Sequence, residues 1–197
     1  MKLNWVEKLF VNSPLRQMMQ VRVITRQFRK NAPLPPNAKI LEIGCGRGVG
    51  LYLIHKKMSP LVLEGFDLDP DQIARAQKKL AHKNIEARLW VGTAGNIPAM
   101  PFSYDAVFNF GVLHHIHNWQ HALREVHKVL KRDGTLYIEE YYRPFLTHPL
   151  FSRLLHHPLA NRFTHTEMLQ QLKSLGFEIV YEKPKGQWRG FIIAKKL

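Results

Sequence analysis

The sequence predicts an α/β protein: a doubly wound, mostly parallel seven-stranded sheet with helices on both faces and an antiparallel hairpin at its carboxy-terminal edge. Three observations predict it. From Lys39 onward, short apolar runs alternate with segments of helical period, the pattern of a parallel sheet covered on both sides. The first run ends in a glycine-rich turn, Gly44-Cys45-Gly46-Arg47-Gly48, that opens a helix. The last two runs, Phe177–Tyr181 and Trp188–Ala194, are joined by the turn-rich stretch Glu182–Gln187 and read as a hairpin.

Taken in order, the first 30 residues read as two helical pieces separated by Asn12-Ser13-Pro14, with Ser13 as cap and Pro14 in the first turn. On the second piece Met18, Val21, Ile24 and Phe28 fall on one arc, and Arg22, Arg26, Arg29 and Lys30 on an adjoining one. Asn31–Asn37, with three prolines, breaks the helix. Residues 1–37 are therefore a basic amphipathic segment with its linker, and 38–197 the main domain. Within that domain the expected elements are a strand at Ile40–Ile43, a helix at Gly50–Met58 and a strand at Leu61–Phe66. A helix follows from Asp69-Pro70 to Ala81, then strands at Ala87–Val91 and Tyr104–Phe110. Next come an amphipathic helix at Trp119–Leu130, ended by Arg132-Asp133-Gly134, a strand at Thr135–Glu139 and a helix at Thr166–Leu175. The apolar tract at 144–162 is expected to cover the site as a lid.

A chain of 197 residues with 45% hydrophobic and 22% charged residues is one soluble globular unit on ordinary grounds. No apolar stretch reaches the 18 residues a membrane span needs, and polar residues interrupt every candidate leader. One cysteine, Cys45, excludes a disulfide framework and metal sites built on paired cysteines. The expected location is cytoplasmic. The net charge of +14 is unevenly placed: residues 1–39 hold eight Lys/Arg against one acid, and 141–197 hold nine against three. Between them, 40–140 is nearly neutral. Basic flanks suit an anionic surface such as lipid headgroups, nucleic acid or an acidic substrate; a solvated, solubilising surface accounts for them equally. The first helix is accordingly read either as a peripheral contact with an anionic membrane or as a lid packed on the domain.

A strand ending in Gly-x-Gly-x-Gly and opening a helix lets a ligand approach backbone N–H groups closely. A nicotinamide fingerprint needs a third glycine at position 49 or 51, where Val49 and Leu51 stand. An acid, Glu42, lies two residues before the first glycine instead. Such a loop suits a zwitterionic, cationic ligand, because a carboxylate can meet an ammonium or sulfonium.

On these residues the chain resembles the class I S-adenosylmethionine-dependent methyltransferases, particularly the small-molecule branch typified by quinone biosynthesis, with its Rossmann-like sheet. The resemblance covers residues 38–140, with a weaker match over 163–195. It implies S-adenosylmethionine as cofactor and assigns the loop Glu42, Gly44, Gly46, Gly48 to it, with Gly44 and Gly46 near the methionine part and Glu42 supporting the loop. It implies that Asp67, in Gly65-Phe66-Asp67-Leu68-Asp69-Pro70, accepts hydrogen bonds from both ribose hydroxyls and that Leu68 packs against adenine. An acid about 20 residues after the glycine loop does the same work in other doubly wound folds. Gly92-Thr93-Ala94 resembles the third strand end, but Thr93 stands where the family has an aspartate facing the adenine amino group; a neutral hydroxyl binds it more weakly. Asn109, in Tyr104–His115, belongs to the fourth strand end and completes the cofactor contacts.

His115 is the candidate for the active-site wall, positioning the acceptor or taking a proton, and a histidine that merely packs beside the cofactor is the competing reading. Tyr141 is the second catalytic candidate: Glu139, Glu140, Tyr141 and Tyr142 end the fifth strand, and alternation allows at most one of each pair to reach the site. His114, His117 and His121 share a helical face, yet without cysteine partners no metal is assigned. Cys45 fills a small position in the loop. The expected reaction is methyl transfer to a small, lipophilic acceptor. An RNA or protein methyltransferase using the basic flanks is the alternative, although Asn109-Phe110-Gly111-Val112 is not the Asn/Asp-Pro-Pro-Tyr signature of base-modifying enzymes and nucleic acid is the less favoured partner. A non-catalytic cofactor-binding protein is a third class. The oligomeric state is not readable.

Overall fold

The computed structural model describes residues 13–147 and 161–197. Ser13 caps the first described helix, its Oγ accepting from Arg16 N–H at 3.2 Å, and Pro14 occupies the first turn, where no N–H is needed. Helix α1 (Pro14–Arg22) runs into a π-helical stretch, Val23–Arg29. The main domain then lays down β1 (Lys39–Ile43), α2 (Val49–Met58), β2 (Val62–Asp67), α3 (Pro70–Ala81), β3 (Arg88–Val91) and β4 (Tyr104–Phe110). A 3-10 turn (Leu113–His115) precedes α4 (Trp119–Val129) and β5 (Leu130–Tyr141). The short α5 (Arg143–Leu146), α6 (His165–Ser174), β6 (Phe177–Lys185) and β7 (Arg189–Lys196) complete the described chain.

The sheet has seven strands in the order β3-β2-β1-β4-β5-β7-β6. Pairings among β1 to β5 are parallel, and β7 is antiparallel to both β5 and β6. The hairpin is therefore inserted return-strand first: β7 joins β5, and β6 forms the edge. The chain winds outward from β1 through β3 and then reverses from β4, so the crevice between the carboxyl ends of β1 and β4 is the switch point where such sheets bind ligands.

The helices are fixed by ordinary sequence chemistry. Asp69 caps α3 by accepting from Asp71 N–H at 3.1 Å, and Ile73, Ala76 and Leu80 repeat at helical spacing on its buried face. Asn118 caps α4, which buries Ala122, Leu123, Val126 and Val129. Thr164 and Glu167 form a capping box on α6: Glu167 N–H donates to Thr164 Oγ1 at 3.2 Å, and Thr164 N–H to Glu167 Oε2 at 2.7 Å. Helices α4 and α6 cover one face of the sheet over Leu41, Val107, Leu136 and Ile138. The amino-terminal segment, α2 and α3 cover the other over Ile40, Ala106, Phe108 and Tyr137.

The amino-terminal segment is pinned by aromatic packing. Phe28 lies 5.2 Å from Tyr137, whose ring stacks on Phe108 at 4.4 Å, and the Tyr137 hydroxyl donates to Ala32 O at 2.8 Å. Its buried apolar residues are Val23, Ile24 and Phe28, whereas Met18 is half exposed. The sequence arc placed Met18 inside; π-helical turns advance by more than four residues and rotate the buried stripe onto Val23. Two polar side chains, Arg16 and Gln20, fill the stripe below it. Strand β5 also differs from expectation. It starts at Leu130, because Asp133 at φ 61° makes a tight turn within it and Leu130 pairs with Tyr104 before the register shifts. Most of the expected lid, 148–160, lies outside the described residues.

Candidate active site

The site is built from the carboxyl ends of β1, β2, β3, β4 and β5. At the end of β1, Glu42 is 3% exposed and its carboxyl is tucked beneath the first turn of α2, where it accepts from Leu51 N–H. Any side chain on Gly50 would collide with it. Its Oε2 is buried with no hydrogen-bond partner among the described residues. Burial pushes the Glu42 pKa well above the usual carboxylate range; the Leu51 N–H opposes this and the nearby Asp67 adds to it.

The loop that follows turns through three left-handed glycines, Gly44 (φ 62°), Gly46 (φ 52°) and Gly48 (φ 72°). They serve different ends. A Cβ on Gly44 would lie 2.5 Å from the Val112 side chain, and one on Gly48 3.2 Å from Ala76 of α3, so these two permit close packing. Around a Cβ on Gly46 no atom lies within 4 Å. Gly46 is the glycine that faces open space. Its N–H donates to Asp67 Oδ2 at 2.9 Å, and Asp67 Oδ1 accepts from Asp69 N–H at 2.9 Å. The carboxylate at the end of β2 is thus held rigidly beside the open glycine, with lone pairs to spare. Cys45, between the glycines, has its thiol pushed up by burial and by Glu42 and Asp67, which keeps it unreactive.

Leu68 is 46% exposed beyond Asp67, and Val91 54% exposed at the end of β3. Ala94 is buried, while Thr93 is exposed and turns its Oγ1 to accept from Gly95 N–H at 3.3 Å. Asn109 is fully buried: its Nδ2 donates to Glu140 Oε1 at 2.8 Å and its Oδ1 accepts from Val112 N–H at 3.2 Å. Its side chain therefore shapes the loop after β4.

Glu140 is the anchor of that loop. Its Oε1 also accepts from Leu113 N–H at 2.9 Å, and its Oε2 lies 2.6 Å from His114 Nδ1. The three histidines of the metal reading do not converge, because the chain is a 3-10 turn at Leu113–His115 and becomes helical again only at Trp119. His114 is tied to Glu140, and His121 Nε2 lies 2.9 Å from Gly95 O. The His115 ring packs at a tilt against His114, with ring centroids 4.1 Å apart, and is half-buried beside the loop. Tyr141 lies edge-on to His114 at 5.8 Å, close above Gly111. Its pKa is raised, by burial first and then by Glu139, so its phenol is a hydrogen-bond donor. Tyr142 points into the opposite layer, fully buried, with its hydroxyl 2.6 Å from His165 Nδ1.

One feature of this edge has no sequence signal. Arg16 of α1 is 5% exposed and grips Glu139 with both terminal nitrogens, at 2.9 and 3.2 Å. Arg189, the first residue of β7, reaches the same Glu139 oxygen. Burial works against the Arg16 charge, and Glu139 more than offsets it, raising the pKa. The amino-terminal helix is thereby fastened across the carboxyl edge of β5.

Taken together, the β1–β3 half offers an open glycine, two carboxyls and a partly exposed apolar rim. That set can receive a cationic ligand bearing a diol and a flat apolar ring. The β4–β5 half offers histidine, phenol and guanidinium groups beside it. Residues 40–134 match the family described as "Methyltransferase domain". An uncharacterized methyltransferase, YcgJ, of Bacillus subtilis is 30% identical over 118 residues, which span 58% of this chain and 45% of that protein. The chain thus spans under half the length of this relative. The demethylmenaquinone methyltransferase of Thermotoga maritima is 26% identical over 168 residues, 73% of this chain and 72% of that one. The crystal structure of Bacillus subtilis YcgJ superposes with a TM-score of 0.75 at 17% identity, covering 91% of this chain and 98% of that one, a likeness of fold.

Proposed function

We propose that this chain, which belongs to the class I S-adenosylmethionine-dependent methyltransferases, transfers a methyl group from that cofactor to a small, lipophilic acceptor. The observation that carries the reading is the juxtaposition of the open Gly46, the rigidly held Asp67 and the unpartnered buried Oε2 of Glu42. These residues fit the cofactor. Gly46 leaves room at the backbone, Asp67 keeps lone pairs for ribose hydroxyls, and Glu42 supplies an acceptor behind the loop. Leu68 and Val91 offer apolar surface for the adenine. Gly44 and Gly48 hold the loop's shape, Ala94 packs beneath the rim, and Thr93 and Asn109 support the same edge.

When bound, S-adenosylmethionine supplies a methyl group already activated by its sulfonium. The protein must then align the acceptor with that methyl and exclude water. His115, on the turn that Glu140 anchors, is placed to orient the acceptor or take its proton. Tyr141, held protonated, is placed to donate a hydrogen bond to it. The fastened α1 covers the edge where the acceptor enters. No helix among the described residues is long and apolar enough to cross a membrane. The exposed Arg22, Arg26, Arg29 and Lys30 remain the surface through which the segment would meet anionic lipid.

The test is transfer of a labelled methyl group to a panel of quinones, phenols, amines, fatty acids and phospholipids, with RNA and protein offered beside them. Label extractable with an apolar acceptor is the expected result. Label that appears only in RNA or protein, or nowhere, would contradict the reading.

A further inference from the structure

Glu139 answers two guanidinium groups with one carboxylate. Arg16 takes both of its oxygens, at 2.9 and 3.2 Å, and Arg189 shares one of them. The cluster is deep: Arg16 and Glu139 have side-chain exposures of 6% and 0%, and that of Arg189 is 16%. Among the described residues no other acid bonds to either guanidinium. Glu140 is bonded instead to Asn109, the Leu113 N–H and His114. Fastening α1 to β5 requires only Arg16. The second guanidinium adds desolvation cost without adding to that fastening. Moreover, Arg189 Nε is buried and has no hydrogen-bond partner among the described residues.

What surrounds Arg189 is apolar. Its guanidinium lies 5.5 Å from the Tyr141 ring and 4.8 Å from that of Phe191. Tyr141 is 5.2 Å from Phe145, and Phe145 6.1 Å from Trp188, whose ring is 49% exposed. Because β7 is antiparallel to β5, Arg189 opposite Tyr141 sits at the same carboxyl edge as the glycine loop. A planar guanidinium with an unpartnered Nε, framed by aromatic rings, matches a carboxylate on a hydrophobic body.

We propose that Arg189, backed by Arg16 and Glu139, is a specificity residue that receives the carboxylate of an acidic, apolar-bodied methyl acceptor. The assignment rests on the methyl-transfer reading above, and its test separates the two. The full chain is saturated with S-adenosylhomocysteine, and calorimetry measures affinity for shape-matched pairs differing in charge: 4-hydroxybenzoate against 4-hydroxybenzamide, and decanoate against decanamide. At least one acid should bind more than about tenfold tighter than its amide, a difference of about 1.4 kcal/mol. Arg189→Gln should bring that ratio close to one with S-adenosylhomocysteine affinity unchanged, and Arg189→Lys should retain part of it. A wild-type protein that binds S-adenosylhomocysteine but treats every acid and amide alike overturns the assignment alone. So does a preference that survives Arg189→Gln, or decyl phosphate binding tighter than decanoate. Failure of the folded wild type to bind S-adenosylhomocysteine overturns the methyl-transfer reading and this assignment with it.

Discussion

The two halves of the sheet's carboxyl edge are made in different ways. On the β1–β3 side the candidate cofactor residues follow their own strands by a few residues: Gly46 after β1, Asp67 and Leu68 at the end of β2, Thr93 and Ala94 after β3. Most of their bonds are short in sequence, and the longest side-chain bond links Gly46 to Asp67, 21 positions away. On the β4–β5–β7 side Arg16 reaches Glu139 across 123 positions, and Arg189 reaches it across 50. One half is a set of strand-end motifs carried by local chain geometry. The other exists only once α1 and β7 have docked. The comparison explains why the strand-end motifs of one half can be matched to a family while the groups of the other half cannot.

Substitutions can break this contrast in order of size. Glu139→Gln leaves two buried guanidiniums without their counter-charge and should cost about 3–5 kcal/mol of stability, measured by denaturant unfolding. A loss below about 1 kcal/mol, the range of exposed pairs, would mean that the cluster is solvated and α1 only loosely held. Asp67→Ala should act on binding instead. Loss of two hydrogen bonds to a charged acceptor, at about 1.5 kcal/mol or more each, predicts S-adenosylhomocysteine binding weaker by about 100-fold or more. An equal loss of stability would blur the distinction between the two halves.

A smaller effect tests Glu42. Its folded pKa is raised above the ordinary 4.5, so as pH rises past that value the unfolded chain loses this proton before the native protein does. The native state then binds more protons, and this group's contribution to stability falls with pH until the raised native pKa is passed. Glu42→Gln removes that slope, so the variant should gain on the wild type as pH rises from 4.5. A parallel pair of curves would place the carboxyl in water. The smallest effect belongs to α1. Met18→Ala, on an exposed side chain, should change stability by no more than about 0.5 kcal/mol, whereas Ile24→Ala should cost about 2–5 kcal/mol.

The order of strands and helices was legible because each element carries its own period, cap or turn: Ser13-Pro14, Asp69-Pro70 and the glycines after Ile43 all act within four residues. The candidate donor residues are proposed from the same kind of local motif. What the sequence concealed depends on geometry with no local signature. Nothing in Val23–Arg29 announces π-helical turns, so Met18 was placed on the buried arc and Arg16 was not singled out. His114, His117 and His121 have helical spacing, but the chain breaks between Ile116 and Asn118. The strand end Glu139–Tyr142 alternates as expected, yet both glutamates are buried, each answered by partners from other elements. Alternation gives the face and not the partner.

The account turns on the claim that Gly46, Asp67 and Glu42 form the seat of an S-adenosyl cofactor. Calorimetric titration of the full chain with S-adenosylhomocysteine tests it most directly. One-to-one binding that Asp67→Ala weakens by about 100-fold or more, in a variant whose unfolding transition is otherwise retained, is the predicted result. A folded wild-type protein that takes up no S-adenosylhomocysteine, or a variant that binds it as well as the wild type, would contradict the account.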